Sequence, residues 1–269
     1  LRLAVTGAAT IPVRLIERRL VLGGQLDIAG MPPGKEPIDW YRRWLLDRVK
    51  AAGVGLEVVL GRDACPADLR GAGVLVWAAG SRPTHREIDG ADQLPVLALD
   101  DAMRQPSLAG ERPVVLGAGA GGAEGAHHLA HTGARVILVE SKRTIARDLI
   151  PPLRYYLGQE LEREAVEVFT SVASIRLQGD RLFLEVRKRG TLEFAGVTAL
   201  VLAAGRTPVP IPEPLTERFA GVVIRIGDAG RSGSIFEAAT DAARLFRGGV
   251  SDAQSPDPDR RPVGRDGAR

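Results

Sequence analysis

The sequence predicts an α/β fold made of two Rossmann-like, three-layer domains, with the second domain inserted in the first. Short β-branched runs alternate with helical patterns, which favours parallel sheets flanked by helices. One ordered set of motifs also occurs twice. We therefore expect the first domain at 1–107 plus 208–250 and the second at 108–207, followed by a disordered, Pro-, Gly- and charge-rich tail at 251–269.

The internal repeat has four features in the same order in both halves. Each half has a strand running into a glycine, a second strand ending in an acid, a helix followed by a short strand, and an A-A-G turn. The matching starts and ends are R-L-A-V-T-G-A from Arg2 with R-P-V-V-L-G-A from Arg112, Glu17 with Glu140, and the A-A-G turns ending at Gly80 and Gly205. Four matches in one order indicate two related α/β units.

The second half ends in a stretch of different character. From Ala173 to Phe194 apolar and polar residues alternate around the turn Q-G-D. This alternation predicts antiparallel strands, which we expect to cover one face of the parallel sheet.

The strongest motif is the glycine-rich turn of the second half. Gly117, Gly119 and Gly122 form G-x-G-x-x-G between a strand and a helix. Gly117 permits a tight turn, Gly119 lets the backbone approach a pyrophosphate, and Gly122 lets the helix pack closely on the strand. The free N–H groups of the helix N-terminus then favour phosphate. The motif predicts a dinucleotide site.

Glu140 identifies the nucleotide further. It ends the second strand, 18 residues after Gly122, where an acid can accept hydrogen bonds from ribose hydroxyls. A carboxylate there favours NAD(H), whereas Lys142 and Arg143 could accommodate the extra phosphate of NADP(H). We add Gly205, in the second A-A-G turn, to the predicted NAD site.

The first half lacks room for its first helix. Gly7 and Glu17 are 10 residues apart, whereas Gly117 and Glu140 are 23 apart. A parallel crossover needs about 10–12 residues between strands. We therefore expect the first βαβ unit to be truncated. Either its two strands pair as a hairpin, or Leu1 to Ala8 lies elsewhere, or the gene has lost a segment; in each case that nucleotide site loses the glycine turn and helix N-terminus.

The chain resembles the C-terminal half of the 2,4-dienoyl-CoA reductase and trimethylamine dehydrogenase family (old yellow enzyme-like). The residues that carry this resemblance are G-G-Q-L-D-I-A-G-M-P-P-G-K from Gly23, both A-A-G turns, G-A-G-A-G-G-A-E, and I-G-D-A from Ile226. The resemblance implies a flavin or ADP domain enclosing an NAD(P) domain. In that family both domains follow a barrel that carries FMN and an iron–sulfur cluster. These 269 residues do not contain the barrel, so we expect a separate barrel subunit as the partner.

The resemblance further implies the residues of the FAD or ADP site. Glu17 would bind the adenosine ribose, Arg18 and Gln25 would lie along the nucleotide, and Ala79 and Gly80 would close the pocket. Asp228 would bind the ribityl chain, with a helix beginning near Ser234 pointing at the flavin ring. A turn with Asp228 as a simple helix cap is the alternative. Because of the shortened first unit, we expect FAD binding to be weakened or lost.

Composition excludes several other functions. The single cysteine, Cys65, rules out an internal disulfide, a redox C-x-x-C pair and a four-cysteine metal site within these residues. The net charge of +3 is small and its arginines are dispersed, which disfavours nucleic acid. No apolar run approaches the roughly 18 residues of a membrane span, so a cytoplasmic location without membrane contact is expected.

Other chemically notable side chains are assigned structural roles. His127, His128 and His131 are expected to be solvated helix residues rather than zinc ligands. Trp40, Trp44 and Trp77 are expected to be core or helix-packing residues rather than a platform that stacks on a flavin. No metal site and no acid or base catalyst is predicted.

Two functional hypotheses remain. The first is an oxidoreductase module that passes hydride from NAD(P)H to FAD. The second is a non-catalytic nucleotide-binding or assembly domain, or an inactive remnant, that binds NAD or ADP without flavin chemistry.

Overall fold

The computed structural model describes residues 11–248, with side-chain environments up to residue 245. The predicted opening strand from Leu1 to Gly7 and the predicted tail at 251–269 lie outside the described residues.

The described residues form seven α-helices and fourteen strands, which we number in chain order. The helices are α1 Leu26–Ala29, α2 Glu36–Ala51, α3 Leu99–Arg104, α4 Ala120–His131, α5 Pro151–Arg163, α6 Glu213–Thr216 and α7 Ile235–Gly248. The strands are β1 Val13–Glu17, β2 Leu56–Leu60, β3 Val74–Trp77, β4 Ser81–Pro83, β5 Val96–Ala98, β6 Pro113–Leu116, β7 Ile137–Val139, β8 Glu167–Phe169, β9 Val172–Gln178, β10 Arg181–Val186, β11 Gly190–Phe194, β12 Ala199–Leu202, β13 Arg206–Pro208 and β14 Val222–Arg225.

The chain divides into two compact units. Within the described residues, the first contains 11–22, Arg48–Gly80 and 209–248, and the second contains Gly23–Asp47 and Ser81–Pro208. The second unit is therefore larger than the predicted range 108–207. Residues before 108 join it because β5 pairs in parallel with β12 and α3 packs against α4.

The second unit is built on a five-stranded parallel sheet in the order β5-β12-β6-β7-β8. Its three central strands, β12, β6 and β7, are buried at every residue. Such continuous apolar runs are expected where both faces of a parallel sheet are covered. The prediction of an α/β fold with parallel sheets is confirmed.

Each face of this sheet has its own apolar layer. Val115, Leu138 and Val201 point to a face covered by α4 and α5, whose Leu129 and Leu161 are almost fully buried. The opposite face is covered by the antiparallel sheet β11-β10-β9. There the sheet residues meet Val172, Leu177, Leu182, Leu184 and Val186. The antiparallel cover predicted around the Q-G-D turn is confirmed, and the unit has three layers.

The two A-A-G turns lead into strands that pair with each other. β4 follows the first turn and β13 follows the second, and they pair antiparallel with Ser81 opposite Pro208 and Pro83 opposite Arg206. These pairs belong to the second unit, whose boundaries with the first unit fall at Gly80 and Val209.

The first unit repeats part of the same topology. β1 pairs in parallel with β2, as β7 does with β8, and β3 pairs in parallel with β14, as β12 does with β5. In the second unit, β6 lies between the equivalent pairs. Its counterpart in the repeat begins at Arg2, outside the described residues, so the truncation of the first βαβ unit stays a prediction.

Of the two predicted roles for the tryptophans, core packing is wrong for Trp40 and Trp44, whereas Trp44 does stack on Tyr41 of the same helix, with ring centroids 5.9 Å apart. Trp40 and Trp44 are 65% and 53% exposed on α2, whereas Leu45 is buried. The reason is the helical period, which turns the Trp40 and Trp44 side chains away from the face that Leu45 occupies. Trp77 is half-buried in the first unit and donates its indole N–H to the Val209 carbonyl at 2.8 Å.

Within the part of the chain that the structure describes, no helix has the length and apolar character that crossing a membrane requires.

Candidate dinucleotide-binding site

The candidate site lies at the carboxyl ends of β6 and β12. From β6 the sheet extends in one direction to β7 and β8, and from β12 in the other to β5. Such a reversal of strand order opens a crevice at the carboxyl ends of the strands, where open α/β sheets bind ligands. The glycine turn follows β6 and the second A-A-G turn follows β12, so both predicted NAD motifs meet at this point.

Two glycines of the turn are required by packing. Gly117 has φ +103°, and an added Cβ would lie 2.6 Å from the Ala203 carbonyl oxygen. A Cβ at Gly122 would lie only 1.9 Å from the Gly117 carbonyl oxygen. No side chain fits at either position, so α4 begins directly against the end of β6, with the second A-A-G turn beside it.

Gly119 and Gly121 serve a different purpose. A Cβ at Gly121 would meet nothing within 4 Å, and one at Gly119 would meet only the Asp148 carboxylate, at 3.8 Å. Neither glycine is therefore needed for packing within the chain. Both are exposed and border the N-terminus of α4, where they leave a bare backbone cradle. The residues present fit a dinucleotide pyrophosphate at this end of the helix.

The Glu140 carboxylate is tied to the glycine turn. One oxygen accepts the Ala118 N–H at 2.8 Å, and the other accepts the Lys142 N–H at 2.8 Å and the Ser141 hydroxyl at 3.2 Å. Partial burial raises the pKa of Glu140, but these hydrogen bonds lower it by more, so its net pKa lies below the usual value. Glu140 is therefore ionised at neutral pH and fixed beside the turn.

Asp148 is a residue of this site that the sequence analysis missed. Its carboxylate accepts the Ala120 N–H through both oxygens, at 2.8 and 3.1 Å. Ala120 is the first residue of α4 and Asp148 lies 28 residues further on, in the loop between β7 and α5. No local motif marks such a long-range cap, which arises only when the loop folds back on the turn.

The second A-A-G turn is anchored by a charged network. Gly205 has φ +108° and its carbonyl accepts the Thr84 N–H at 3.0 Å. Arg206 then donates two hydrogen bonds to the Asp100 carboxylate, at 2.7 and 3.0 Å, and two to Ser81, at 2.9 Å to the hydroxyl and 3.0 Å to the carbonyl. Gly205 is exposed at the end of a rigid β12–β13 connection.

Most predicted FAD or ADP residues belong to the first unit. Glu17 ends β1 and its carboxylate accepts the Arg19 N–H at 2.8 Å, with Arg18 exposed between them. Asp228 is half-buried in the Gly227–Ala229 turn and accepts the Gly233 N–H at 3.0 Å. Helix α7 begins at Ile235, next to the predicted Ser234.

Two further predicted residues, Ala79 and Gly80, follow β3. Ala79 is exposed, and Gly80, with φ +74°, accepts the Val209 N–H on its carbonyl at 3.0 Å. Gln25 belongs instead to the second unit, where its amide donates to the Ser81 hydroxyl at 3.3 Å. The first unit thus offers one carboxylate at the end of β1 and another before α7.

The three histidines of α4 point to different partners. His128 contacts the Met103 carbonyl at 3.1 Å and His131 contacts Glu164 at 2.8 Å. The expectation that all three are solvated is wrong for His127, which is only 4% exposed because its helix face packs toward Leu157 of α5. Burial lowers its pKa. Across residues 11–248, no three His, Cys, Asp or Glu side chains converge as a metal site would require.

The segment that contains this site matches a known protein family. The profile of the pyridine nucleotide-disulphide oxidoreductase family matches residues 68–223, more than half of the chain. The matched segment contains the glycine turn, Glu140 and both A-A-G turns. Only Cys65 occurs in these 269 residues, so the paired cysteines of a disulfide reductase are not among them.

Individual relatives are longer than this chain. NADH oxidase of Thermoanaerobacter brockii is 33% identical over 243 residues, which cover 87% of this chain and 36% of that protein. The structure of 2-naphthoyl-CoA reductase in complex with 2-naphthoyl-CoA superposes with a TM-score of 0.81 at 18% identity, over 91% of this chain and 37% of that one. Histamine dehydrogenase from Rhizobium sp. 4-9 gives a TM-score of 0.73 at 20% identity, over 98% and 41%. The chain thus spans about two fifths or less of each.

Proposed function

Because the chain belongs to the pyridine nucleotide-disulphide oxidoreductase family, we propose that it is the nucleotide-binding module of an NAD(P)H-dependent flavoprotein oxidoreductase. It would pass reducing equivalents from NAD(P)H through FAD to an FMN/iron–sulfur barrel of the enoate-reductase or amine-dehydrogenase type, which these 269 residues do not contain. The observation that carries the proposal is the bare cradle at Gly119 and Gly121, beside the anchored carboxylate of Glu140.

The second unit would hold NAD(P)H. The bound cofactors would supply the hydride-transfer chemistry between nicotinamide and flavin. The protein's own task is positioning. The backbone at Gly119 and Gly121 leaves room for the pyrophosphate, the N-terminus of α4 attracts its charge, and Glu140 accepts hydrogen bonds from the ribose. The rigid connection through Gly205 borders the same crevice. No side chain has to act as an acid or base in hydride transfer.

NAD(H) is the favoured nucleotide of the two. Glu140 is ionised and held beside the turn, so it repels a 2′-phosphate at the position where it accepts ribose hydroxyls. Lys142 and Arg143 are exposed and could offset part of this repulsion. We expect NADH to bind more tightly than NADPH.

The first unit would bind FAD, or ADP, through Glu17 and Asp228. FAD binding should be weakened there, because the 10 residues from Gly7 to Glu17 are too few for a crossover helix. The second candidate function is favoured by this short spacing: a nucleotide-binding or assembly domain that binds NAD or ADP without flavin redox chemistry.

One purification distinguishes the two. The oxidoreductase proposal predicts a yellow protein whose flavin absorbance is bleached by NADH under anaerobic conditions. A colourless protein that cannot be loaded with FAD but binds NADH in calorimetry would establish the second candidate instead. Failure to bind any nucleotide would contradict both.

A separate experiment tests whether reduction of the final substrate requires the FMN/iron–sulfur barrel. With FAD added, the chain alone should reduce an artificial dye with NADH but should not reduce an enoyl thioester. Reduction of the thioester by these 269 residues would show that no barrel is needed.

A further inference from the structure

We propose that Asp148 is an internal competitor for the dinucleotide pyrophosphate: its carboxylate caps α4 in the free protein and must leave when the nucleotide binds. This inference rests on the proposed binding of NAD(P)H to the second unit and adds a regulatory residue to that site.

The first observation is the position of the carboxylate. Both Asp148 oxygens accept the N–H of Ala120, at 2.8 and 3.1 Å, and a Cβ on Gly119 would lie 3.8 Å from one of them. The carboxylate therefore lies at the N-terminus of α4, next to the two glycines that leave the cradle bare. A pyrophosphate oxygen that accepted the Ala120 N–H would therefore lie against the negatively charged Asp148 carboxylate and be repelled by it.

The second observation is that this position is built by the surrounding backbone. Ala146 is fully buried with φ +45°, an unfavourable conformation for alanine, and its N–H donates to the Ala118 carbonyl at 2.6 Å. On the other side, the Arg154 guanidinium donates to the carbonyls of Ala146 and Leu149, at 3.3 and 3.1 Å. The loop that carries Asp148 is thus clamped on both sides.

These contacts fix the loop but leave the Asp148 side chain free to move. Asp148 is exposed, so its carboxylate can rotate into solvent without opening the core. Rotation gives up the helix cap, a contact that stabilises helices by about 0.5–2 kcal/mol. The pyrophosphate then satisfies the same N–H. Asp148 therefore weakens nucleotide binding, and by recapturing Ala120 it speeds nucleotide release.

The test compares Asp148→Asn and Asp148→Ala with wild type, using the exposed acid Glu162 on α5 as a charge-matched control, Glu162→Gln. NADH affinity is measured by calorimetry in the full chain. We expect Asp148→Ala to bind NADH about three- to thirtyfold more tightly, which corresponds to the loss of a competing cap. Asp148→Asn keeps an amide oxygen that can cap α4 and loses only the charge, so it should gain less, and the control should match wild type. The gain should shrink at high salt, since screening reduces the repulsion.

Thermal unfolding supplies a second readout. Without nucleotide, Asp148→Ala should lower Tm by several degrees because the cap is lost. At saturating NADH this difference should disappear, since the pyrophosphate and not Asp148 then caps α4.

The outcomes separate the two proposals. Unchanged or weaker NADH binding by the Asp148 variants, with a Tm difference that persists at saturating NADH, would make Asp148 a plain structural cap and overturn the inference alone. If neither wild type nor any variant bound NADH or NADPH, the proposed function would fail, and this inference with it.

Discussion

The guanidinium of Arg206 forms a bidentate ion pair with the carboxylate of Asp100, in which its two terminal nitrogens donate hydrogen bonds at 2.7 and 3.0 Å. The Nε of the same guanidinium donates to the buried Ser81 hydroxyl, and we call these contacts together the Arg206 fork. The two ion-pair side chains are 27% and 21% exposed. This fork joins three parts of the second unit: the start of β13, helix α3 and strand β4. It holds the second A-A-G turn at the edge of the candidate site.

Arg206→Lys should destabilise the second unit, because an ammonium cannot make the fork and reach Ser81 as well. We expect a loss of about 1–3 kcal/mol in the free energy of unfolding. Urea denaturation would measure it. The control is Arg181→Lys, in the exposed pair with Glu193, which should cost less than about 1 kcal/mol. Equal effects of the two substitutions would show that the fork contributes nothing beyond a surface ion pair.

Gly122→Ala should destabilise the protein and impair NADH binding together. Its new Cβ would collide with the Gly117 carbonyl oxygen, so α4 must move away from β6. Such overpacking costs about 1–3 kcal/mol. Gly121→Ala is the matched control, because its Cβ would enter open space in the same helix turn and alanine favours helix by about 0.5–1 kcal/mol. Chemical denaturation that ranked Gly121→Ala as the less stable variant would contradict this packing argument.

Glu140→Gln should change nucleotide preference. Loss of the carboxylate removes a ribose acceptor and the repulsion of a 2′-phosphate, so the ratio of NADPH affinity to NADH affinity should rise about tenfold. Calorimetric titration with both nucleotides would measure the ratio. An unchanged ratio would show that Glu140 does not face the ribose.

The same carboxylate should make stability depend on acid. The folded-state pKa of Glu140 is lowered, so its stabilisation is complete above the unfolded-state pKa of about 4.3 and is lost as pH falls through the folded value. Glu140→Gln should therefore be less stable than wild type at neutral pH, with the difference narrowing below about pH 4. If the free energy of unfolding differed between wild type and Glu140→Gln by the same amount at every pH, the pKa of Glu140 would not be lowered in the folded protein.

His127 should make the stability of the protein depend on pH in a range above the one that Glu140 affects. Burial lowers its pKa, while Glu160 and Glu164 oppose the shift and His131 and His128 add to it. Below about pH 6.5 the unfolded chain binds a proton that the folded chain does not, so stability falls as pH falls. Tm should drop more between about pH 7 and 5 in wild type than in His127→Gln.

His131→Gln is the control for this effect. His131 is exposed beside Glu164, so the substitution should leave the pH dependence due to His127 in place. Parallel Tm profiles for wild type and His127→Gln would mean that the imidazole is not kept neutral by burial.

The α/β class, the internal repeat and the glycine turn could be predicted from the amino-acid sequence, because these features depend on local spacing along the chain. Strand length, β-branched runs and the positions of Gly117, Gly119, Gly122 and Glu140 can be read along the chain. The antiparallel cover of the sheet was equally visible, since strict alternation around the Q-G-D turn is a local signal.

Contacts between residues that are distant in sequence could be seen only in the folded chain. Asp148 reaches Ala120 across 28 residues and Arg206 reaches Asp100 across 106, and neither pairing leaves a periodic trace. The burial of His127 and the exposure of Trp40 and Trp44 follow from which helix face meets a neighbour, a choice that composition does not record. The sequence therefore predicted only some of the residues around the proposed pyrophosphate site. The glycines of this site belong to one short motif, whereas Asp148 lies in a distant loop that only the fold brings next to them.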